Sequence, residues 1–346
     1  MARLAGGRGP IFERSRSNPE SRCIFMDRMR YNQAMSVTFV IPVYNEVESL
    51  DALAAGIVEH AAGVPHRILF VDDGSTDGSW ERMLALRERH ATVDAVRLRR
   101  NFGKTVALRV GFSLAHGERI IMMDADLQDD PKEIPRMLAK LDEGYDLVCG
   151  WKQRRHDPWH KTLPSRVYNR WVARLFGVRI HDVNTGFKAM RMEVARRVPL
   201  FGDMHRLIPV FADGLGYRVT EIPVTHHPRR FGHSKYGFDR FAKGALDVVT
   251  ARFLLHFNES PVRYFARAAL FLLLGVLAAA AACGVVLAAA GAAGMAWAVL
   301  FVLAIGTAAL GTGLLTLLGI GLQSEWRLQH TPPPDYRLYI AETQID

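Results

Sequence analysis

The sequence predicts an α/β fold: parallel strands with helices on both faces, followed by a membrane-embedded C-terminal segment. Short β-branched runs alternate with longer stretches of helical apolar spacing from residue 36 onward, the pattern of a layered parallel sheet. Several of the strand-like runs end in acidic or glycine-bearing loops. No charged side chain occurs from Ala268 to Leu322, a run long enough for two bilayer crossings of roughly 20 residues each.

Each element follows in order. Residues 1–34 are basic and rich in Gly, Pro and Ser, without the apolar core of a signal peptide, and read as a disordered tail. Met35 stands directly before the first strand and is an alternative start. "SVTFVIPVY" (36–44) is a strand ended by Pro, and "VESLDALAAGIVEHA" (47–61) a helix. "HRILFVDDG" (66–74) is a second strand. "TDGSWERMLALRERH" (76–90) is a helix capped by Thr76 or Asp77. "DAVRLRR" (94–100) is a third strand, "GKTVALRVGFSLAHG" (103–117) a helix closed by Gly, and "RIIMMDAD" (119–126) a fourth strand. The α/β unit spans 35–235.

Residues 236–261 carry Phe238, Phe241, Leu246, Val249, Phe253 and Phe257 at helical spacing, with Arg240, Lys243 and Arg252 among them. That composition suits an amphipathic helix lying at a membrane surface; a core helix is the alternative. The apolar region 262–323 divides at the Gly/Ala-rich "AAAGAAGMAW" (288–297) into crossings near 266–290 and 295–322. Arg252, Arg263 and Arg267 precede the pair, and Arg327 and Arg337 follow it. Positive flanks on both sides put the α/β unit and both termini in the cytoplasm of an integral membrane protein. Residues 324–346 form a Pro-rich cytoplasmic tail. "GTAALGTG" (306–313) suits packing against a second copy.

Three cysteines, Cys23, Cys149 and Cys283, exclude a disulfide framework and indicate a reduced setting. A net charge of +9 calls for an anionic partner: nucleic acid, membrane or phosphorylated substrate. In open α/β sheets ligands bind beyond the carboxyl ends of the strands. Tyr44-Asn45-Glu46, Asp72-Asp73-Gly74 and Asp124-Ala125-Asp126 each fall at such an end. Two carboxylates in D-x-D point the same way along a strand and are hard ligands for Mg²⁺ or Mn²⁺, with a ligand diphosphate completing the shell. Gln128 and Asp129 lie near enough to add a ligand. The dinucleotide and Walker A fingerprints are absent, so a metal takes the place of a glycine cradle.

"FVIPVYNE" (39–46), "VDDGSTDGS" (71–79), "RRNFGKTVALRVGF" (99–112) and "MDADLQDDP" (123–131) resemble the successive motifs of inverting family 2 glycosyltransferases. "NTGFKAM" (184–190), "MHRLIP" (204–209) and "PRRFGHSKY" (228–236) resemble those of the polyisoprenyl-phosphate glycosyltransferases within that family, which include dolichol-phosphate mannose synthase and bacterial undecaprenyl-phosphate glucosyltransferases. The resemblance implies a GT-A, Rossmann-like mixed sheet with helices on both faces. It implies transfer from a UDP- or GDP-linked sugar to a polyprenyl phosphate at the bilayer, with Mg²⁺ or Mn²⁺ and no role for nucleic acid. Pro42, Tyr44, Glu46, Asp73, Lys104 and Asp124 would bind the nucleotide sugar. Asp126, Gln128 and Asp124 would hold the metal. Lys152, Arg166, Arg229, Ser234 and Lys235 would bind the acceptor phosphate. Asp126, Asp182 and Arg229 would serve the reaction itself. Asp182 reads as an organiser of acceptor or sugar, because a phosphate nucleophile is already ionised at neutral pH and needs positioning more than deprotonation. "LQDDP" departs from the "LQHPP" of the mannose synthases and points away from GDP-mannose; "QSEWR" (323–327) inverts the Arg-Trp order of the processive polymerases and is set aside. Two rival functions are a different membrane acceptor and a nucleotide-sugar-binding adaptor without chemistry.

Overall fold

A computed structural model describes residues 36–153, 159–228, 240–257 and 336–345, with isolated positions between 274 and 321. The N-terminal tail and most of the two expected crossings lie outside the described residues, as do Arg229, Ser234 and Lys235. Among the described residues no helix is long and apolar enough to cross a membrane.

The strands are β1 (Val37–Val43), β2 (His66–Asp72), β3 (Val93–Leu98), β4 (Arg119–Met122), β5 (Leu147–Trp151), β6 (Lys188–Arg191), β7 (Val219–Pro223) and β8 (Ile340–Gln344). They form one sheet in the order β7-β5-β6-β4-β1-β2-β3-β8. The pairs β1–β2, β1–β4 and β2–β3 are parallel, as expected from the alternation. β6 runs antiparallel between β4 and β5, so the sheet is mixed.

The helices are α1 (Leu50–His60), α2 (Ser79–Arg89), α3 (Lys104–Leu114), α4 (Ile134–Asp142), α5 (Trp159–Phe176), α6 (Met192–Arg197), α7 (Ile208–Gly214) and α8 (Arg240–Phe257). The two-residue alternation of strand side chains assigns them to faces. Phe39, Ile41, Ile68 and Phe70 pack with α1, α2 and α4 through Leu53, Met83 and Met137. Val40, Ile120 and Met122 pack on the other face with Leu108 and Phe112 of α3 and with α5 to α8. Both faces being covered, the central strands read as continuous apolar runs. Gly111 is where α3 lies closest to the sheet; a methyl group there would run into Val40 of β1.

Pro42 is tolerated inside the central strand β1 for a geometric reason. The Val43 carbonyl faces β2, accepting from the Asp73 N–H at 2.8 Å, while the Val40 carbonyl faces β4, accepting from the Met123 N–H at 3.4 Å. By alternation residue 42 faces the β4 side, where pairing has already ended at Val40–Met122. The missing N–H therefore costs no ladder bond, and the β1–β4 ladder ends there.

β8 comes from the C-terminal segment, which carries no expected strand. It pairs antiparallel with β3 and covers the sheet's edge. Its approach places Tyr339 edge-on against Phe102, with centroids 5.2 Å apart, and Tyr336 beneath the Arg109 guanidinium.

Candidate active site

Four loops leave the carboxyl ends of the neighbouring strands β4, β1, β2 and β3, and hydrogen bonds lace each to the next. The β1 loop meets the β2 loop through side-chain oxygens that replace strand partners. The Asn45 N–H donates to Ser75 Oγ (2.9 Å), the Thr76 N–H to Asn45 Oδ1 (2.8 Å), and the Glu46 N–H to Ser79 Oγ (3.0 Å). Asn45 has φ of 53°, a left-handed conformation that Asn tolerates better than most residues. Pro42, Tyr44 and Glu46 are half-buried along this loop.

Asp73 joins the β2 loop to the β3 loop. Its two carboxylate oxygens accept from the backbone N–H groups of Phe102 (2.7 Å) and Gly103 (2.9 Å). Burial pushes its pKa up to about 6, against the pull of those two donors. Each oxygen keeps a second lone pair. Next in the chain, Lys104 forms an ion pair with Asp124, which ties the β3 loop to the β4 loop.

The β4 loop carries the D-x-D. Asp126 is buried, and its Oδ1 accepts from the Gln128 N–H at 3.2 Å. Leu127, between them, has φ of 59°. A branched side chain held in that region costs on the order of 1 kcal/mol or more and persists only where its surroundings impose it. Asp124 lies against Gly186 of "NTGF": a Cβ there would sit 2.5 Å from Asp124 Oδ2. Glycine at 186 is thus a condition for the Asp124 carboxylate to occupy its place.

Behind the loops lies a buried charged layer. Lys188 of β6 is wholly buried; burial lowers its pKa to about 8, and its ammonium donates to the Thr185 carbonyl. Asp124 and Asp182 both lie within its electrostatic reach. Asp182 is itself buried, accepting from Asn169 Nδ2 at 3.0 Å. Lys152, at the end of β5, reaches Asp129 at 3.1 Å and is 14% exposed. Burial works against that ammonium's charge, but Asp129, Asp124 and Asp182 outweigh it and hold its pKa above the ordinary value. Lys152 thus neutralises Asp129, a carboxylate too buried to stand without a counter-charge. His205 of "MHRLIP" is buried with Nδ1 2.7 Å from Thr105 Oγ1, and burial holds its pKa well below the usual value, so it is neutral.

The structure therefore gathers Pro42, Tyr44, Glu46, Asp73, Lys104, Asp124, Asp126 and Gln128 at one end of the sheet, with Asp182 and Lys152 joined to them through the buried charges. Arg166 falls on α5, and its side chain lies outside the described residues. Sequence reasoning missed Lys188, the role of Gly186 and the pairing of Asp129 with Lys152. The signal for the first two was present in "NTGFK", a motif that carries both.

Among the described residues no three His, Cys, Asp or Glu side chains converge on a point. A divalent ion held here would rest on one or two carboxylates and an amide oxygen, with substrate phosphates completing its shell. That oxygen-only set is the one Mg²⁺ and Mn²⁺ accept.

Comparison with known proteins agrees with this geometry. Residues 38–198 match the model of the family described as Glycosyl transferase family 2. The chain is 37% identical over 241 residues to a dodecaprenyl-phosphate galacturonate synthase of Rhizobium johnstonii, covering 67% of this chain and 71% of that protein. Crystal structures of glucosyl-3-phosphoglycerate synthase from Mycobacterium tuberculosis share the fold. One, in complex with phosphoglyceric acid, is 18% identical with a TM-score of 0.50 over 66% of this chain and 83% of that one. Another, with Mn²⁺, uridine diphosphate and phosphoglyceric acid, is 16% identical with a TM-score of 0.50 over 66% and 82%. The α/β sheet with its flanking helices is the GT-A architecture, and this chain is a glycosyltransferase belonging to glycosyl transferase family 2.

Proposed function

We propose that the chain transfers one sugar, with inversion, from a nucleotide sugar to a polyprenyl phosphate at the cytoplasmic face of a membrane. The observation that carries this is the meeting, at the end of β4, of the laced donor loops with the segment that leads into the basic "PRRFGHSKY". The relative that acts on dodecaprenyl phosphate supports the acceptor, and its galacturonate makes a UDP-linked uronic acid the first donor to test.

In this reading Tyr44, Glu46 and the Asp73 loop hold the nucleotide, and Lys104 keeps Asp124 placed for the sugar. Asp126 and Gln128, with Asp124, would hold Mg²⁺ or Mn²⁺, which supplies charge stabilisation to the departing nucleoside diphosphate. An oxygen of the lipid phosphate bonds to the anomeric carbon as the bond from that carbon to the diphosphate breaks on the opposite face. The electron pair leaves with the diphosphate. The nucleophile is already anionic, so no side chain needs to take a proton; Asp182 and the basic groups orient and screen it.

Two features support the membrane setting. α5 exposes Val167 and Trp171, and α8 exposes Leu246 and Val249. The two helices are neighbours: Arg252 Nη1 of α8 donates to the Leu175 carbonyl of α5 at 3.0 Å. The opposite side of α8 docks on the domain through buried Val248 and Ala251, so the helix serves both as core and as an outward apolar face, beside exposed Arg170 and Arg174. The charge-free run Ala268–Leu322 is long enough for two crossings that would complete the anchor.

The test is transfer by purified protein in detergent with polyprenyl phosphate, Mn²⁺ and labelled UDP-galacturonate, UDP-glucose, UDP-N-acetylglucosamine or GDP-mannose in turn. Label entering the organic phase with one donor is expected, together with its loss by at least a hundredfold in Asp126→Ala. Label that moves only to a non-phosphorylated acceptor would reject the reading, as would near-normal turnover in Asp126→Ala.

A further inference from the structure

The segment Pro223–His227 is laced to the donor loop and the start of α4 at nearly every residue. The Pro223 carbonyl accepts from Arg136 Nη1 at 3.2 Å. The Thr225 N–H and Oγ1 both donate to Glu133 Oε1, at 3.1 and 3.0 Å. Asp129 and His226 form an isolated antiparallel bridge, with His226 Nδ1 3.8 Å from Asp129 Oδ1. The His227 N–H donates to the Gln128 carbonyl at 2.8 Å, and Gln128 Nε2 to the His227 carbonyl at 3.4 Å. His227 Nε2 lies 3.0 Å from Asp130 Oδ2.

Stability alone is a weak reason for this arrangement. Asp129 is 1% exposed and His226 6%, and the buried Asp129 carboxylate already has its counter-charge in Lys152 at 3.1 Å, so the contact with His226 is not needed to neutralise it. It stands beside Leu127, whose backbone is held in the left-handed region. Strain and buried charge kept side by side at the meeting of two loops are the mark of imposed register. On one side of the junction, three residues before Asp129, is Asp126; on the other the chain passes at Pro228 into "PRRFGHSKY".

We propose that Asp129, Asp130, His226 and His227 form a register clamp between the donor loop and the acceptor-binding segment, and are positioning residues for the acceptor phosphate. This rests on the reading of the acceptor given above. The clamp fixes where the chain leaves the donor loop at Pro228, the entry to the motif that this reading assigns to the acceptor phosphate, and it acts without touching either substrate. Misplacement by about 1 Å is enough to lower such a rate a hundredfold. Loosening the clamp therefore weakens acceptor use and leaves donor binding intact.

The less buried pair tests it with the least risk to folding, since the His227 side chain is 39% exposed and that of Asp130 16%. His227→Ala, Asp130→Ser, the double variant and His227→Gln are compared with the wild type. Ser keeps an oxygen for the Lys132 N–H that Asp130 now caps but is too short to reach His227. Expected are a rise of about tenfold in the KM for polyprenyl phosphate in each single variant, no further rise in the double variant, and a donor KM within about twofold of wild type. His227→Gln, which keeps a donor nitrogen, restores most of the loss. Wild-type transfer to polyprenyl phosphate is measured first: its absence refutes the acceptor, whereas wild-type transfer with unaltered acceptor KM in the variants refutes the clamp alone. Donor and acceptor KM rising together, or lost nucleotide binding with a lowered melting temperature, would assign these residues to folding and overturn the proposal.

Discussion

Single residues set the geometry of the proposed donor site, and two of them yield direct tests. Gly186 has no room for a methyl group because Asp124 Oδ2 would be 2.5 Å away. Gly186→Ala is expected to displace Asp124 and lower kcat/KM at least tenfold, about 1.4 kcal/mol, while the melting temperature moves by only a few degrees; steady-state kinetics beside calorimetry checks this. Asp73 titrates near pH 6 because of its burial. Between the ordinary carboxylate value of 3.8 and about 6, the folded protein keeps a proton there that the unfolded chain has lost. Stability contributed by Asp73 is thus present below that window and is lost as pH rises through it. Asp73→Asn should remove this component of the slope in denaturant titrations across pH 4–7. That Asp73, Asp124 and Asp126 come together was legible in the sequence, because each falls at the carboxyl end of a strand of one parallel sheet. Lys188 and the Asp129–Lys152 pair were not, because a lysine in a motif looks the same whether it faces solvent or a buried carboxylate. Lys152, expected at the acceptor phosphate, faces Asp129 in the fold.

Elements were legible where both faces of a strand are buried, and their ends were not. The helix expected at 76–90 with Thr76 or Asp77 as its cap begins instead at Ser79, with Gly78 at the N-cap position in the left-handed region (φ of 91°); Asp77 accepts from the Ser79 N–H one residue outside the cap. The 103–117 helix stops at Leu114, since Ala115 is already extended and Gly117 turns the chain at φ of 94°. The antiparallel β6 and the edge strand β8 escaped the alternation pattern, because each is paired by distant chain rather than by its own period. β8 has a consequence for the donor site. The Arg99 N–H donates to the Tyr339 carbonyl at 2.9 Å, and Tyr339 packs on Phe102, whose N–H holds Asp73. Deleting residues 335–346 should cost on the order of 1–2 kcal/mol through the lost aromatic pair and the exposed edge. It should also weaken nucleotide affinity about threefold or more, read by calorimetric titration. Unchanged affinity would confine β8 to edge protection.

At the scale of the whole molecule, the sheet presents its four laced loops at one end, while α5 and α8 expose apolar residues beside Arg170 and Arg174. Leu246 and Val249 are 66% and 55% exposed, which has a purpose if that side lies on lipid. Leu246→Glu with Val249→Glu is expected to raise the KM for polyprenyl phosphate in vesicles at least fivefold and leave the donor KM unchanged; equal kinetics in vesicles would remove this face from membrane contact. The family and the GT-A architecture were both readable from motifs in order, since seven spaced motifs over residues 39–236 leave little freedom of fold. The sugar was not, because no motif residue identifies the groups at its C6. The measurement that tests the central claim most directly is mass spectrometry and NMR of the lipid product formed from a labelled nucleotide sugar. The account predicts one sugar joined to polyprenyl monophosphate, with the anomeric configuration opposite to that of the donor. A diphosphate-linked sugar, retention of configuration, or label on a lipid without phosphate would contradict it.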